Sequence, residues 1–299
     1  MKRAVSVSLG SAARDKQVVV NFKRESIQVE RMGTDGDVDK ARRLFAELDG
    51  EVDALGVGGV DLYLRLDGRQ YPLHAALKLV QDVRRTPVVD GRGLKHTLER
   101  RVFELAAPAL GGLPHFCAAF VPVAVDRLGL AEAVAEVADQ VIIGDLMIAL
   151  GIPIPIGGIK SYRKLARILF PVVSHFPMSL LFYGSGGKEA TPKYQRYWKE
   201  ADLIAGDFLF MHKYLPQNLA GKTVITNTTT AENIALLRAR GVRTVITTTP
   251  RYKGRSFGTN MMEAALTAYA GKGRSLSDAE LNNLIDELDL LPSVERLNE

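Results

Sequence analysis

The sequence predicts an α/β protein with two parallel-sheet domains, of which the C-terminal one is Rossmann-like. Short apolar runs alternate with segments of helical periodicity along the whole chain. Many of these runs end in a polar or glycine-rich turn, as strands do when single helices connect them into a parallel sheet. The clearest runs are MSLLFYGSGGK, DLIAGD, TVITNTTT and TVITTTP, all within residues 178–250.

The first half of the chain shows the same alternation. Strands are predicted at residues 4–9, 18–22, 26–30, 52–60, 86–89, 116–125 and 141–143. Helices are predicted at residues 38–48, 72–83, 94–105 and 130–138. Asp37 stands where the first of these helices needs an N-cap. Asp67-Gly68, flanked by alternating residues, predicts a hairpin turn.

The segment GIPIPIGG, residues 151–158, is the expected boundary between the domains. Proline removes backbone donors and glycine permits unusual backbone angles, so regular structure should break there. We therefore expect a substrate-binding α/β domain at 1–150, a linker and connecting helix at 151–175, and a Rossmann-like domain with C-terminal helices at 176–299. Ser277 and Glu280 have the spacing of a capping box for the last helix.

The composition fits a globular protein with a sizeable core, because 46% of the 299 residues are hydrophobic and 24% are charged. The net charge of +5 is scattered, which predicts no nucleic-acid partner. A single cysteine excludes an intrachain disulfide, and the histidines lack metal-ligand spacing, so no metal is expected. Because neither a signal peptide nor a membrane span is recognisable, we expect a cytoplasmic protein without a membrane partner.

A glycine-rich loop follows the predicted strand SLLFY. Its residues are Gly184, Ser185, Gly186 and Gly187. Glycines at a strand-to-helix turn let the backbone approach a pyrophosphate, and the next predicted strand ends in Asp207, where a ribose hydroxyl is normally held. This pair of features predicts NAD or NADP, with NAD favoured because a carboxylate repels a 2′-phosphate. The alternative is a surface turn followed by a helix-capping aspartate.

Polar residues also end two further predicted strands. Asn227 and Thr228 follow one, and Thr248 and Thr249 follow the other. Side by side in a parallel sheet, these groups would line a cofactor site. The local alternative is that threonine favours strands and that Thr230 caps a helix.

A basic loop precedes the helix predicted at 259–269. Arg251 and Arg255 stand in this loop, and Thr259 and Asn260 begin the helix. Cations and an open helix N-terminus together predict a site for a substrate or cofactor anion. Glu263, one turn into the helix, could instead pair with these cations, and a solvated basic loop is the other alternative.

Candidate acid–base residues lie in the first half. Asp61 and Asp90 end predicted strands, and Lys95 follows shortly after Asp90. A lysine beside a carboxylate could exchange a proton with a substrate hydroxyl. Asp90-Gly91 could also be only a turn.

The chain resembles the quinate/shikimate 5-dehydrogenase family, and more closely a group of bacterial proteins labelled quinate 5-dehydrogenase. The resemblance is carried by SLLFYGSGGKEA and by Asn227-Thr228-Thr229. It implies an N-terminal substrate domain, a Rossmann domain, an NAD or NADP cofactor and a catalytic Lys–Asp pair. The family motifs for that pair have no counterpart here, so Lys95 with Asp61 or Asp90 is chosen by position.

The first functional hypothesis is thus an NAD(P)-dependent oxidoreductase acting on a small hydroxylated carboxylic acid, an anionic substrate. Two alternatives stay open. One is a non-catalytic binding protein whose two lobes close on a small anionic metabolite. The other is a transferase for a phosphorylated metabolite, with the loop at Arg251 as its phosphate clamp. The sequence leaves homo-oligomerisation open.

Overall fold

The computed structural model describes residues 1–182, 194–252 and 255–299. It confirms the α/β class, because helices alternate with strands that form two sheets of mainly parallel neighbours. The strands are β1 (Lys2–Ser8), β2 (Lys16–Asn21), β3 (Ser26–Gly33), β4 (Ala54–Gly58), β5 (Tyr63–Leu66), β6 (Arg69–Pro72), β7 (Val88–Val89), β8 (Phe116–Val121), β9 (Ala138–Ile143), β10 (Ile156–Gly157), β11 (Leu203–Ala205), β12 (Thr223–Thr226), β13 (Thr244–Thr247), β14 (Arg251–Tyr252), β15 (Arg255–Ser256) and β16 (Ser293–Arg296). The helices are α1 (Val38–Leu48), α2 (His74–Leu77), α3 (Arg92–His96), α4 (Val102–Leu110), α5 (Leu128–Val137), α6 (Asp145–Ile148), α7 (Gly158–Val173), α8 (Met178–Leu181), α9 (Gln195–Glu200), α10 (Phe208–Met211), α11 (Ala231–Ala239), α12 (Thr259–Ala270) and α13 (Asp278–Glu287).

The chain divides into two compact units, each built from segments that are not consecutive. The described part of the first unit is residues 1–94, 168–182 and 258–289. The described part of the second unit is residues 95–167, 194–252, 255–257 and 290–299. This differs from the expected succession of 1–150, 151–175 and 176–299. The physical reason is long-range pairing: β8 joins β11 in one sheet, whereas α12 packs on the other sheet.

The sheet of the first unit has the strand order β2-β3-β1-β4-β7, in which only the β2–β3 pair is antiparallel. Helix α12 is buried along almost its whole length and packs on β1 and β4. A Cβ at Gly56 would lie 3.0 Å from the backbone oxygen of Asn260, and one at Gly58 would lie 3.0 Å from the side-chain nitrogen of Asn260. The glycines of β4 therefore allow the helix to approach the sheet closely.

The sheet of the second unit has the order β10-β9-β8-β11-β12-β13-β16. The five central strands are mutually parallel, and β10 and β16 add antiparallel edges. The parallel strands therefore end on one side of the sheet. We call this side the carboxyl edge, and it consists of residues 122–127, 144–145, 206–207, 227–230 and 248–250.

One hydrophobic cluster of the second unit lies on the face of the sheet that carries Phe120, Ile204, Val224 and Val245. Trp198 of α9 is fully buried there, and its ring centroid lies 5.0 Å from that of Phe120 in an edge-on arrangement. A buried tryptophan contributes strongly to stability, with a cost of about 3–5 kcal/mol for its truncation to alanine. Helix α9 is thus anchored to the sheet by its tryptophan.

Several local predictions are confirmed by backbone geometry. Asp37 caps α1 by accepting a hydrogen bond from the Lys40 amide at 2.8 Å. Ser277 and Glu280 form the capping box of α13. The turn between β5 and β6 has positive φ angles at Asp67 (52°) and Gly68 (76°), as the Asp-Gly pair predicts.

Other element predictions are wrong. The apolar run at Met178 is helix α8 and not a strand, and the helix expected over 72–83 is reduced to α2. The segment 151–158 is not only a linker, because its residues Ile156 and Gly157 form β10 and pair with β9. Among the described helices, none combines the length and the apolar character that a membrane crossing needs.

Candidate functional site

The carboxyl edge of the second unit gathers a connected set of charged side chains. Asp126 and Arg127 come from the loop after β8, and Asp207 directly follows the turn after β11. Lys95 lies in the last turn of helix α3, and Glu99 lies in the turn before α4. We call these five residues the edge network. Asp126, Arg127 and Asp207 meet because neighbouring parallel strands bring their C-terminal loops to the same edge, and Lys95 and Glu99 join them from the region of α3 and α4.

Lys95 and Asp126 form one half of the edge network. The Lys95 Nζ lies 3.2 Å from Oδ2 of Asp126. The lysine side chain is only 5% exposed, whereas the aspartate side chain is 35% exposed. Burial alone would raise the pKa of Asp126, but the charges of Lys95 and Arg127 lower it below the ordinary value. Asp126 therefore stays ionised and presents a carboxylate to solvent.

Arg127 organises the other half of the edge network. Its Nη1 donates to Glu99, and its Nη2 donates to Oδ2 of Asp207 at 2.8 Å. Burial opposes the arginine charge, but the carboxylates of Glu99, Asp207 and Asp126 raise the pKa of Arg127 above its ordinary value. Arg127 is thus a permanent buried cation that holds two carboxylates.

Glu99 is fully buried at the base of the edge network. Burial raises its pKa, and the charges of Arg127 and Lys95 oppose that effect. Its Oε1 accepts from Arg127 and also from the Thr248 hydroxyl at 3.3 Å. No hydrogen-bond partner of its Oε2 is found among the described residues. Glu99 therefore links the network to the end of β13.

Asp207 has a structural role at the start of α10. Its Oδ1 accepts a hydrogen bond from the Leu209 amide at 2.9 Å, which is an N-cap, while Oδ2 accepts from Arg127. The helix-capping alternative raised by the sequence is therefore correct. The side chain is nevertheless 27% exposed, so a bound molecule can still reach it.

Asp145 supports the loop that carries Asp126 and Arg127. Its Oδ2 accepts from the Ala124 amide at 2.8 Å, and its Oδ1 accepts from the Val125 amide at 2.9 Å. The Tyr162 hydroxyl of α7 donates to Oδ1 at 3.3 Å. Burial of the carboxyl raises the pKa of Asp145 to about 7, which the amide hydrogen bonds partly counteract.

The polar strand ends predicted to line a site lie at this same edge. Asn227, Thr248 and Thr249 are buried, and Thr248 reaches the edge network through Glu99. The Thr249 hydroxyl donates to the carbonyl of Phe257 at 2.7 Å, and Thr228 has a positive φ of 54°. Thr249 thus holds the segment that follows β13, whereas Thr248 contacts the edge network.

The capping alternative for Thr230 is also confirmed. Its hydroxyl accepts from the Asn233 amide at 3.3 Å, and the Asn233 side chain returns a bond to the Thr230 amide. This reciprocal arrangement is a capping box that begins α11.

The expected acid–base residues are divided between the two units. Asp90 is buried in the first unit, where its oxygens accept from the amides of Leu62 at 2.8 Å and Arg92 at 3.1 Å. Asp61 is half-buried in the loop after β4. Lys95 pairs instead with Asp126, within the second unit.

The start of α12, predicted as an anion site, is closely packed. A Cβ at Gly91, where φ is 88°, would lie 2.5 Å from both the Asn260 amide nitrogen and the Thr259 hydroxyl oxygen. The Asn260 side chain donates to the Ser6 hydroxyl at 2.6 Å. The turn at Gly91 therefore covers the helix start where an anion was expected.

One cation of the basic loop, Arg251, lies in a described ion pair. Arg251 forms an ion pair with Glu295 of β16, and Arg255 lies in β15. The Oε2 of Glu263, which was offered as a partner for these cations, accepts from the Leu94 amide at 3.1 Å. Burial and the nearby Asp90 charge raise the pKa of Glu263 to about 8.

A cavity of about 770 Å³ lies at the opposite, amino edge of the second sheet. Thr223 and Thr244, which begin β12 and β13, are part of its lining, together with Arg243 and Arg296. The cavity and the edge network thus lie at opposite ends of the parallel strands.

We place the candidate site at the edge network, because buried charges with a solvent-facing carboxylate are typical of functional sites.

These features define an α/β protein with a charged site at the carboxyl edge of a parallel sheet. Residues 93–297 match the family described as "Domain of unknown function (DUF8754)", and residues 3–90 match "Domain of unknown function (DUF8753)". The chain therefore belongs to the DUF8754 family. No curated protein matches it in sequence.

Several solved structures have a low similarity to this chain. One is GanP, a glucose-galactose binding protein from Geobacillus stearothermophilus, with 10% identity, a TM-score of 0.41, and coverage of 99% of this chain and 97% of that one. A second is a Mycobacterium smegmatis protein in complex with β-D-fucofuranose, with 11% identity, a TM-score of 0.34 and 99% coverage of both chains. A third is a carbohydrate transporter solute binding protein from Agrobacterium radiobacter in complex with D-arabinose, with 9% identity, a TM-score of 0.29, and coverage of 92% and 90%.

The expectation of an NAD(P)-dependent oxidoreductase is wrong. Within this chain, the strand that should precede the glycine loop is helix α8, and Asp207, expected to hold a ribose, caps α10 and pairs with Arg127. Residues Gly184–Gly187, expected to bind the pyrophosphate, lie outside the described residues.

Sequence reasoning missed Glu99, Asp126 and Arg127. A signal for Asp126 was present, because it ends the run predicted as a strand at 116–125, just as Asp61 and Asp90 end theirs. The ion pair between Glu99 and Arg127 could not be predicted from neighbouring residues, since it depends on how α3 and α4 are placed relative to β8.

Proposed function

We propose that the protein binds a small, neutral, polyhydroxylated molecule of the sugar class at the carboxyl edge of the second unit, without catalysing a reaction on it. The observation that carries this proposal is the pair of partly exposed carboxylates, Asp126 and Asp207, held in place by buried cations. Carboxylates accept hydrogen bonds from sugar hydroxyls, and charge-assisted bonds of this kind are the strong ones.

The balance of charge favours a neutral ligand. Lys95 and Arg127 bring two positive charges to the edge, where Asp126, Asp207 and Glu99 stand together with Asp145. An anionic metabolite would meet carboxylates at this edge, and the cations Lys95 and Arg127 are already paired with those carboxylates. The transferase alternative loses its phosphate clamp, because Arg251 is paired with Glu295.

The electrostatics favour binding over catalysis. A general base works best with a pKa near the working pH, whereas the pKa of Asp126 is lowered by Lys95 and Arg127. A permanently ionised carboxylate is a good hydrogen-bond acceptor and a poor proton carrier. Asp126 is thus suited to hold a hydroxyl in a fixed direction.

Isothermal titration calorimetry with D-glucose, D-galactose and D-arabinose, against gluconate and glucose 6-phosphate, tests the proposal. We expect at least one neutral sugar to bind more tightly than either anion. Asp126→Asn should weaken that binding by roughly tenfold or more, since a hydrogen bond to a charged group is worth about 1.5–3 kcal/mol.

Asp139→Asn is the matched control. Asp139 lies at the amino end of β9, is 61% exposed and pairs with His115 on the surface. The control should bind sugar as the wild type does. Absence of neutral-sugar binding at millimolar concentration, or equal binding by the Asp126 variant, would contradict the proposal.

A further inference from the structure

Asp145 connects the end of β9 to the loop that carries the edge network. It follows Gly144, whose amide donates to the Val121 carbonyl at 2.9 Å, and a Cβ at Gly144 would lie 2.8 Å from the Pro122 carbonyl oxygen. The absence of a side chain at Gly144 therefore brings the Asp145 carboxylate against the loop after β8.

The two oxygens of Asp145 accept from two consecutive amides, those of Ala124 and Val125. Two bonds from neighbouring peptide groups fix the orientation of the backbone at that point. The next residues are Asp126 and Arg127, so their side chains leave the backbone in directions that Asp145 determines. Asp145 thus acts on the edge network through the loop and without a direct contact to a ligand.

We infer that Asp145, together with Tyr162, is a positioning residue that makes ligand affinity at the carboxyl edge depend on pH. This inference rests on the proposed function. It names a residue and a mode of regulation for that site. The ionised carboxylate accepts from both amides through charge-assisted bonds. Protonation removes the charge and turns one oxygen into a hydroxyl, which is a weaker acceptor, so the loop is held less firmly.

The charged and titratable groups that act on Asp145 are Asp126 from the loop after β8 and Tyr162 from α7. Burial raises the pKa of Asp145 to about 7, the Asp126 charge adds to this, and the amide bonds and the Tyr162 hydroxyl lower it. Asp145 therefore changes its protonation state within the pH range in which a binding experiment is practical. Above its pKa, the ionised form that holds the loop predominates.

The test measures the dissociation constant of the tightest-binding panel sugar from about pH 5.5 to about pH 8.5 for wild type, Asp145→Asn and Tyr162→Phe. We expect wild-type affinity to increase with pH by roughly tenfold, which corresponds to one lost hydrogen bond to a charged group. Asp145→Asn should be weak and independent of pH. Tyr162→Phe should keep the high-pH affinity but move the midpoint upward, because it loses a bond that favours the ionised form.

A second measurement needs no ligand. In amide NMR spectra of the free protein, Ala124 and Val125 should titrate with a shared midpoint that Asp145→Asn abolishes, while circular dichroism confirms that the variant is folded. A flat wild-type affinity profile, or the same slope in Asp145→Asn, would overturn the inference. Intact amide titration without sugar binding at any pH would overturn the proposed function and leave the positioning role supported.

Discussion

Nη2 of Arg127 lies 2.8 Å from Oδ2 of Asp207, which joins the loop after β8 to the residue that begins α10. The same guanidinium group donates through Nη1 to the fully buried Glu99. The arginine side chain is 5% exposed. Because one buried cation holds two carboxylates from different segments, the carboxyl edge of the second unit has a fixed distribution of charge before any ligand arrives.

Arg127→Met should destabilise the second unit strongly. The variant leaves Glu99 buried without its cation, and breaking a buried pair in this way costs about 3–5 kcal/mol. Urea denaturation followed by tryptophan fluorescence measures the change. Arg196→Met is the control, because Arg196 pairs with Glu200 on the surface of α9 and should leave the midpoint unchanged. Equal midpoints for both variants would show that the edge network is not buried as described.

Gly129→Ala should disturb both stability and ligand binding. A Cβ at Gly129 in α5 would lie 2.1 Å from the carbonyl oxygen of Lys95, so the helix and the lysine backbone must separate. Overpacking of this kind costs about 1–3 kcal/mol, which outweighs the gain in helix propensity of about 1 kcal/mol. Gly157→Ala is the control, since nothing lies within 4 Å of its added Cβ. Thermal denaturation and sugar titration of both variants test this prediction. If Gly129→Ala kept the wild-type stability and sugar affinity, the close packing of α5 on the Lys95 backbone would be contradicted.

Glu263 should make the stability of the first unit fall as pH rises. Its pKa is raised to about 8, so its favourable contribution is complete below the ordinary value of 4.5 and is lost as pH rises through 8. Since one pH unit of pKa difference equals about 1.4 kcal/mol, the loss is on the order of a few kcal/mol. Glu263→Gln should flatten this slope, and Glu287→Gln on the surface of α13 should retain it. If stability changed with pH in the same way for wild type and for Glu263→Gln, the buried environment of Glu263 would be contradicted. Asp145 is present in both proteins, so its own contribution to the pH dependence cancels in this comparison.

Trp198 should report on the second unit alone. It is the single tryptophan of the chain and is fully buried against Phe120. We expect emission at a shorter wavelength than that of free tryptophan, and little quenching by acrylamide until the unit unfolds. Strong quenching in the native protein would show that α9 is not packed on the sheet.

The local features of the fold could be predicted because their causes are local. The N-cap at Asp37, the capping box at Ser277 and the turn at Asp67-Gly68 each depend on a few consecutive residues. The run at Met178 was misjudged because a short apolar segment does not distinguish a buried strand from a helix.

The arrangement of the units and of the site could not be predicted in the same way. Pairing of β8 with β11 brings residues near 120 beside residues near 204, and no pattern in either segment specifies that partner. The carboxyl edge was correctly expected to gather polar strand ends, as Asp207 and Thr248 show. Its buried cation, Arg127, was missed because its partners come from separate segments.

The most direct test of the central claim is a crystal structure of the protein with the neutral sugar that calorimetry identifies. The account predicts sugar hydroxyls within hydrogen-bond distance of the Asp126 and Asp207 carboxylates. A sugar bound instead in the cavity at the amino edge, beside Arg243 and Thr244, with the edge network unoccupied, would contradict it.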